Sequence, residues 1–502
     1  MALHDREDDA GLDPHAESGA TVRNLVAGEW REPAGDRHPV TDPGTGEQVG
    51  TVGYSTSADV DDAVAAAREA FADWSRRPVE ERIQPLFRYK ALLEDHQDDL
   101  AHTLATEHGK TLSEAKGELR RGIENVEVAC GMPSLLKEGS GIVEQAAPEI
   151  DESGVRRPLG VFAAITPFNF PGMIPLWFMP HAVATGNTFL LKPSERDPIT
   201  PARLVELAHE AGIPEGVVNL VNGGPESVNA ICDHEDVAGV SFVGSTGVAK
   251  HVYERAASAG KRVQAQGGAK NHVIVSDSAD LAFAAEQTVS SACACAGERC
   301  LANDVVLTMG EVYDEFAEQV VAEAAAATVG YGPDDPDVGA LITSEHRDEV
   351  AGYVARAVEA GAELLHDGRD VTVDGHEDGT YMDPTVVGGV TPDMEIAREE
   401  IFGPVVALSR VDSFDEAIGT LNASDYGNAA SLFTERGHEA QQFRREARAG
   451  NLAVNAGTAA PMAFYHFGGE KASFFGDLHA QADDAVRFYT DQTVYIERWP
   501  GE

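Results

Sequence analysis

The sequence predicts an α/β protein made of two domains with parallel sheets, on three observations. At 502 residues the chain is longer than one hydrophobic core usually serves. From Val161 onward, short apolar runs alternate with stretches of helical periodicity: Val161–Ile165, Thr188–Leu191, Val217–Val221, Val240–Val243 and Val273–Val275. Such runs spaced by helices read as βαβ units, because a parallel neighbour is reached only through a crossover. A second series begins near Cys300, with a strand at Val305–Thr308, helices over Val312–Ala327 and about 345–361, and a strand at Val405–Leu408. The division between the two domains is therefore placed near residue 271.

The flanking segments follow from the same periodicities. Residues 1–20 are acidic and aperiodic and are expected to be disordered. Between Ala58 and Trp74 the apolar positions Val60, Ala63, Val64, Ala67, Ala70, Phe71 and Trp74 recur at helical spacing behind Ser57 as the N-cap. Similar patterns cover about 79–107 and 112–130. After a Gly/Ser break at 139–141, the segments around Gly141–Glu144 and Val155–Pro158 are expected to pair as a hairpin. Near the end, Val486–Thr490 and Thr493–Arg498 read as strand material able to extend a sheet edge in another subunit.

Charge excludes several classes of partner. Lys and Arg number 38 against 84 Asp and Glu, a formal net charge of −46 spread along the whole chain. Such a surface repels nucleic acid and anionic lipid. Its self-repulsion is screened within about 3 Å at molar salt, so the composition points to a salt-rich cytoplasm. The five cysteines are odd in number and show no pairing pattern, which favours a reducing compartment. The spacing Cys293-x-Cys295-x4-Cys300 matches no common zinc pattern, so no metal is expected. The first ten residues lack the basic start and apolar core of a secretory signal, and no apolar run approaches the roughly 20 residues needed to span a bilayer. The expectation is a soluble cytoplasmic protein.

The chemistry centres on Cys300, which ends the run Ser291-Ala-Cys-Ala-Cys-Ala-Gly-Glu-Arg-Cys300. A helix break at Gly297 puts this thiol on a loop beside Arg299, whose charge favours the thiolate. Cys293 and Cys295, inside the Ala-rich helix, read as small buried hydrophobes. The run Thr188–Leu191 ends at Lys192-Pro-Ser-Glu195, at the carboxyl end of a strand, where open α/β sheets bind ligands. A carboxylate there accepts from a ribose 2′-hydroxyl and repels a 2′-phosphate, so Glu195 points to NAD over NADP. Val240–Val243 turns through Gly244-Ser245-Thr246 into a helix whose first amides suit a pyrophosphate, although the three-glycine dinucleotide pattern is absent.

Taken together, Phe168-Asn-Phe-Pro171, Lys192-Pro-Ser-Glu195, Phe242-Val-Gly-Ser-Thr246, Gly297-Glu-Arg-Cys300 and Glu399-Glu-Ile-Phe-Gly-Pro404 resemble the successive motifs of the aldehyde dehydrogenase superfamily. The segments Gly160–Trp177, Gln264–His272 and Ser473–Ala480 look nearest to its branch that oxidises methylmalonate semialdehyde and passes the acyl group to coenzyme A. The resemblance implies a fold of two parallel-sheet domains plus a small β oligomerisation element. It implies an NAD-binding domain over 21–138 and 159–270, a catalytic domain over 271–470, and the oligomerisation element over 139–158 and 471–502. It also implies a homotetramer. Cys300 would be the nucleophile, with the Asn169 side chain and the Cys300 N–H holding the oxyanion. Thr166, Phe168, Lys192, Glu195, Arg196, Ser245, Gly267 and Glu400 would hold NAD, while Arg121 and Arg299 would bind the substrate carboxylate, with Arg120 as the competing neighbour.

Hydrolytic members carry a glutamate base before a Leu-Gly-Gly-Lys run. In Val263-Gln-Ala-Gln-Gly-Gly268 the residue expected in its place is Ala265. Water without such a base is a poor nucleophile, whereas a thiol of pKa about 8.5 attacks a thioester readily, so coenzyme A is the expected acceptor. Glu298 beside the nucleophile is the other conceivable base, but an adjacent residue usually points elsewhere. The alternatives are a hydrolytic aldehyde dehydrogenase and a non-catalytic structural or binding descendant.

Overall fold

The computed structural model describes residues 19–137 and 142–499. Two large sheets dominate. The first has eight strands in the order Phe474–Gly476, Arg262–Gln266, Val237–Val243, Val161–Ile165, Thr188–Lys192, Val218–Leu220, Asn24–Val26 and Glu29–Arg31. Its five central strands are parallel, and the edges are completed by antiparallel pairing. The second has seven strands in the order Glu363–His366, Thr385–Gly388, Val405–Val411, Asn303–Met309, Asn271–Val275, Ala429–Phe433 and Asn451–Val454, all parallel except the first. The strand series of the sequence thus resolves into two sheets, and the chain passes from one to the other between Gln266 and Asn271.

Chain order in the first sheet locates the ligand crevice. From Val161–Ile165 the chain moves to Thr188–Lys192 on one side, then to Val218–Leu220, and returns to Val237–Val243 on the opposite side of the starting strand. The loops after these strands therefore diverge to opposite helical layers and leave an opening at their carboxyl ends. Thr166 to Asn169, Lys192 to Arg196 and Gly244 to Thr246 all lie in those loops.

Several local expectations change. The first long helix, Ser57–Trp74, is capped by Thr56 instead of Ser57, in a reciprocal capping box with Asp59. The 79–107 periodicity is two helices, Val79–Asp95 and Gln97–His108, joined at His96. Of residues 486–490, expected as strand, 486–489 lie in a helix over Ala482–Tyr489 and only Thr490 is strand, because Ala482, Ala485, Val486 and Tyr489 fall on one buried face at helical spacing. The following strand Thr490–Arg498 pairs antiparallel with Ile150–Pro158 of the same chain, which in turn pairs with Ile142–Ala147. The segment beyond 471 is also divided, since Phe474–Gly476 closes an edge of the first sheet. Ala20 begins a strand, Ala20–Val22, while residues 1–18 of the expected tail lie outside the described residues.

Asn187 joins three of these parts. Its Oδ1 accepts from the N–H groups of Leu159 (2.7 Å) and Gly160 (3.0 Å), and its Nδ2 donates to Thr185 Oγ1 (3.0 Å) and to the Tyr489 carbonyl (2.8 Å). The side chain is fully buried. Asn187→Ala leaves two N–H groups and one carbonyl unpaired in the interior and is expected to destabilise the fold by about 2–4 kcal/mol. Chemical denaturation followed by fluorescence checks this, with Asn187→Asp, which keeps the acceptor, expected to lose less.

Candidate active site

The helix Leu281–Cys293 ends four residues before the break expected at Gly297, and the chain turns through Ala294–Gly297. Cys295 and Ala296 take left-handed φ values of 52° and 51°, a conformation costly for side-chain-bearing residues and held by its surroundings. Gly297 continues the turn at φ 76°, where an added Cβ would lie 2.1 Å from the Gly403 carbonyl. Only glycine permits this approach, which presses the nucleophile loop onto Phe402-Gly403-Pro404. The Cys300 carbonyl then accepts from Asn271 Nδ2 (3.0 Å) and Asn428 Nδ2 (2.7 Å), one from each of two neighbouring strands or their connections in the second sheet. Neither asparagine was singled out in the sequence: Asn271 sits between Lys270 and His272, and Asn428 between Gly427 and an apolar run.

Cys300 borders two cavities. One is a cleft of about 680 Å³ lined by Thr166, Phe168, Lys192, Glu195, Arg196, Ser245, Gly267 and Glu400, together with Asn169 and Cys300. All eight residues expected at the cofactor meet there. Its far wall, formed by His346, Glu349 and Tyr353, was not foreseen. The cleft fits a dinucleotide on several counts. Glu195 lies 3.4 Å from the buried Lys192 ammonium, leaving a partly exposed carboxylate for a ribose. Ser245 caps the helix Thr246–Ser258, whose N-terminus opens on the cleft. The buried Thr166 hydroxyl has no partner of its own. At Gly268 a Cβ would meet Glu400 Oε2 at 2.4 Å, so the backbone is cut back beside the Glu400 carboxylate.

The second cavity, about 530 Å³, opens on the other side of Cys300 between Arg121, Arg299, Phe170, Trp177 and Phe467. Arg121 is held by Glu124 Oε2 (2.9 Å) and by the Pro461 carbonyl. Arg120 also borders the cavity but is drawn to Glu127 (3.0 Å) and Glu94 (3.7 Å) on the outer side of the helix, which favours Arg121 as the inward guanidinium. Arg299 forms no ion pair among the described residues and lines the same space. Cys293 and Cys295 are buried, and all five cysteines are free. Cys295 nevertheless forms part of the cavity wall.

Asn169 donates one Nδ2 hydrogen to the Glu298 carbonyl at 3.0 Å, which leaves its second for a ligand oxygen. The Glu298 carboxyl turns away from the thiol: Oε1 accepts from Ile342 N–H (3.0 Å), and His108 and His346 flank the group at 4.0 and 3.8 Å. Strand alternation corrects the placing of Ala265. Val263 and Ala265 pack with Val240 and Phe242 on one face, whereas Gln266 projects from the other and reaches the Phe467 carbonyl (3.4 Å) in the wall of the second cavity. Gln266, on the face opposite Ala265, is an amide, which cannot serve as a base.

Burial pushes the Cys300 thiol up to about 12, with Glu400 adding to the rise and Arg299 opposing it. Arg299 acts in the expected direction, but the loss of water around the partly exposed sulfur outweighs it. Glu400 is itself pushed up to about 8, first by burial and then by Asp304, against the Ala269 N–H and Lys270. Among the described residues, no group of three or more His, Cys, Asp or Glu is placed to hold a metal ion, and no helix is long and apolar enough to cross a membrane.

Known proteins match this arrangement over nearly the whole chain. A sequence profile of the aldehyde dehydrogenase family matches residues 30–494. Malonate-semialdehyde dehydrogenase 1 of Geobacillus kaustophilus is 46% identical over 481 residues, covering 95% of this chain and 98% of its own. Malonate-semialdehyde dehydrogenase 2 of Shouchella clausii is 45% identical with the same coverage. The methylmalonate-semialdehyde dehydrogenase of Oceanimonas doudoroffii superposes with a TM-score of 0.94 at 41% identity, covering 96% of this chain and 99% of that one. A Sinorhizobium meliloti protein, provisionally described by the same activity and complexed with NAD, gives 0.95 at 39% identity with the same coverage.

The raised thiol makes a direct prediction. Without NAD, alkylation of Cys300 by iodoacetamide is expected to quicken about tenfold per pH unit from pH 7 to 9 without levelling, because the thiolate fraction climbs throughout that range. A plateau below pH 8, read by mass spectrometry of the labelled peptide, contradicts it. Arg299→Leu is expected to slow the reaction further.

Proposed function

The chain belongs to the aldehyde dehydrogenase family, and on that premise we propose that it is an NAD-dependent, CoA-acylating semialdehyde dehydrogenase. It converts methylmalonate or malonate semialdehyde to propionyl-CoA or acetyl-CoA with loss of CO2. The observation that carries this reading is the position of Cys300 between a nucleotide-shaped cleft and a cavity bordered by the guanidinium groups of Arg120, Arg121 and Arg299. Planar guanidinium forks suit a carboxylate better than an ammonium does.

The residues take the following parts. Arg121 and Arg299 hold the substrate carboxylate and leave the aldehyde carbon toward the sulfur. The Cys300 thiol first gives up its proton to solvent, and the thiolate Sγ attacks that carbon; the oxygen, now an alkoxide, is met by the free Asn169 amide hydrogen and the Cys300 N–H. Bound NAD supplies the hydride acceptor from the opposite cleft, with Lys192 and Glu195 at one ribose and Glu400 at the other. A thioester on Cys300 remains. The carboxylate lies β to its carbonyl, so CO2 leaves as the carbonyl takes up the electron pair and the α-carbon gains a proton. Release from the enzyme falls to the CoA thiol, which forms the new thioester as Cys300 departs.

The choice of thiol over water is supported by four carboxylates around the site that already have partners. Glu298 serves Ile342, Glu118 is paired with Lys110, Glu124 with Arg121, and Glu400 takes the Ala269 N–H. Gln266 has no basic atom. Mass spectrometry of products from methylmalonate semialdehyde and NAD is expected to find propionyl-CoA when CoA is present and little free acid when it is absent. Free acid at full rate without CoA would establish the hydrolytic alternative, and no NADH burst at all would leave a non-catalytic descendant. Replacing Arg121 or Arg299 by Leu is expected to raise KM for the semialdehyde by about tenfold or more while leaving propanal within about twofold, since propanal has no carboxylate to lose.

The assembly and setting are part of the same proposal: a homotetramer in a salt-rich cytoplasm. Two open strand edges support self-association. Thr490–Arg498 ends the three-stranded sheet with Val494 and Ile496 exposed, and Asn451–Val454 ends the catalytic sheet with Leu452 and Val454 exposed. Light scattering is expected to give a tetramer that Val494→Asp/Ile496→Asp dissociates. Thermal melting is expected to rise with KCl toward molar concentrations, as screening relieves the net charge of −46; a flat melting curve contradicts the salt adaptation.

A further inference from the structure

A buried ion pair lies behind the oxyanion side of the site. Lys110 Nζ is 2.6 Å from Glu118 Oε2, and the side chains are 0% and 1% exposed. The same ammonium donates to the Asn169 carbonyl at 2.7 Å and lies 4.4 Å from the Phe170 ring. Glu118 Oε1 accepts from the N–H groups of Gly172 (2.6 Å) and Met173 (3.0 Å), where the helix Met173–Thr185 begins. One ion pair therefore grips both ends of the segment Asn169-Phe-Pro-Gly172. The helix carrying Glu118, Leu112–Cys130, also holds the nucleophile loop, since Glu114 Oε1 accepts from the Cys295 N–H at 2.5 Å. The spacing of these parts is enforced by Gly122 of that helix, where a Cβ would come within 2.7 Å of Leu176 Cδ1 and 3.3 Å of the Gly172 carbonyl.

A buried ion pair is a poor device for stability, because desolvation offsets most of the attraction and an apolar replacement is often as stable. Its consequence here is geometric. The segment between two prolines and a glycine has no regular secondary structure to fix it, and the Asn169 side chain is useful only if its second amide hydrogen points at the alkoxide oxygen. We propose that Lys110 and Glu118 are positioning residues for the oxyanion site, setting the Asn169 backbone so that its side-chain amide, braced on the Glu298 carbonyl, is aimed at the substrate oxygen. The assignment rests on the roles given above to Cys300 and Asn169. Lys110 and Glu118 act through Asn169 and hold no reacting atom.

The test is the rate of the NADH burst with saturating NAD and methylmalonate semialdehyde, before acyl release. Lys110→Met is expected to slow the burst about 100-fold, the loss typical of a group misplaced by about 1 Å. Affinity for NAD, measured by fluorescence, is expected to stay within about threefold, which general damage to the fold would not spare. Asn169→Ala is expected to lose about 100-fold to 1000-fold, as for an oxyanion donor. The double variant Asn169→Ala/Lys110→Met is expected to be no more than about threefold slower than Asn169→Ala alone. Multiplying losses in the double variant, or a burst at the wild-type rate in Lys110→Met, overturns the positioning role. Because Lys110→Met strands a buried carboxylate, Lys110→Met/Glu118→Gln is measured beside it, and a wild-type burst there overturns the role equally. Glu118→Gln alone keeps an oxygen for the Gly172 and Met173 amides and is expected to lose only about tenfold. Failure of the underlying reading looks different: Asn169→Ala then keeps the wild-type burst, which removes the target of the positioning as well.

Discussion

The close approach of Gly297 to the Gly403 carbonyl is the constraint on which the site depends. It lets a turn with two left-handed side-chain-bearing residues lie flat against the loop that carries Glu400, so the sulfur three residues later emerges between two cavities. Asn271 and Asn428 then fix the Cys300 carbonyl from the second sheet, and Asn169 approaches from the first. The nucleophile is therefore held by both domains at once. Relative movement of the two sheets would separate the sulfur from the Asn169 amide, so the reaction proposed above depends on the interface between them.

Electrostatics around this seat favour restraint over readiness. Burial raises both the Cys300 thiol and the Glu400 carboxyl, and the single guanidinium beside the sulfur does not offset the loss of water. A protonated thiol is protected from oxidation and stray electrophiles. The positive charge of a nicotinamide ring in the adjoining cleft works in the direction of the thiolate, so ionisation and cofactor occupancy are coupled by simple Coulomb attraction. The Gln266 amide, which reaches the Phe467 carbonyl in the wall of the second cavity, is likewise neutral.

The parts of the fold that the sequence displayed were those set by local repetition. Val161–Ile165 is a strand with the bounds its apolar run suggested, and Leu112–Cys130 is the helix its spacing suggested. Elements whose pattern is ambiguous were misjudged: Val486 to Tyr489 are rich in bulky and aromatic residues, but their burial follows a helical face. Arg262–Gln266 does not read as a strand because its glutamines interrupt the apolar run, although Gln264 Nε2 finds Ser241 and Gln266 Nε2 the Phe467 carbonyl. Among site residues, those within motifs were visible and do converge in the two cavities. Asn271, Asn428, Lys110 and Glu118 were not, because apart from the Lys110–Glu118 pair itself the contacts that tie them to Cys300, Asn169 and Gly172 reach residues 29 to 128 positions away.

By itself the sequence determined the chemical inventory: a loop thiol, a carboxylate and a lysine at a strand end, two candidate guanidinium groups, and an excess of acid along the whole surface. These are properties of residue type and short spacing, which do not change on folding. Tertiary structure decided how that inventory operates. It put Gln266 and Ala265 on opposite faces of their strand, tied the Glu298 carboxyl to the Ile342 N–H, engaged Arg120 with Glu127 and Glu94, and raised the thiol that a neighbouring arginine alone would have lowered. Each of these outcomes depends on which face of a strand or helix meets the site and on how much water is excluded there, and both are fixed only when distant segments pack together.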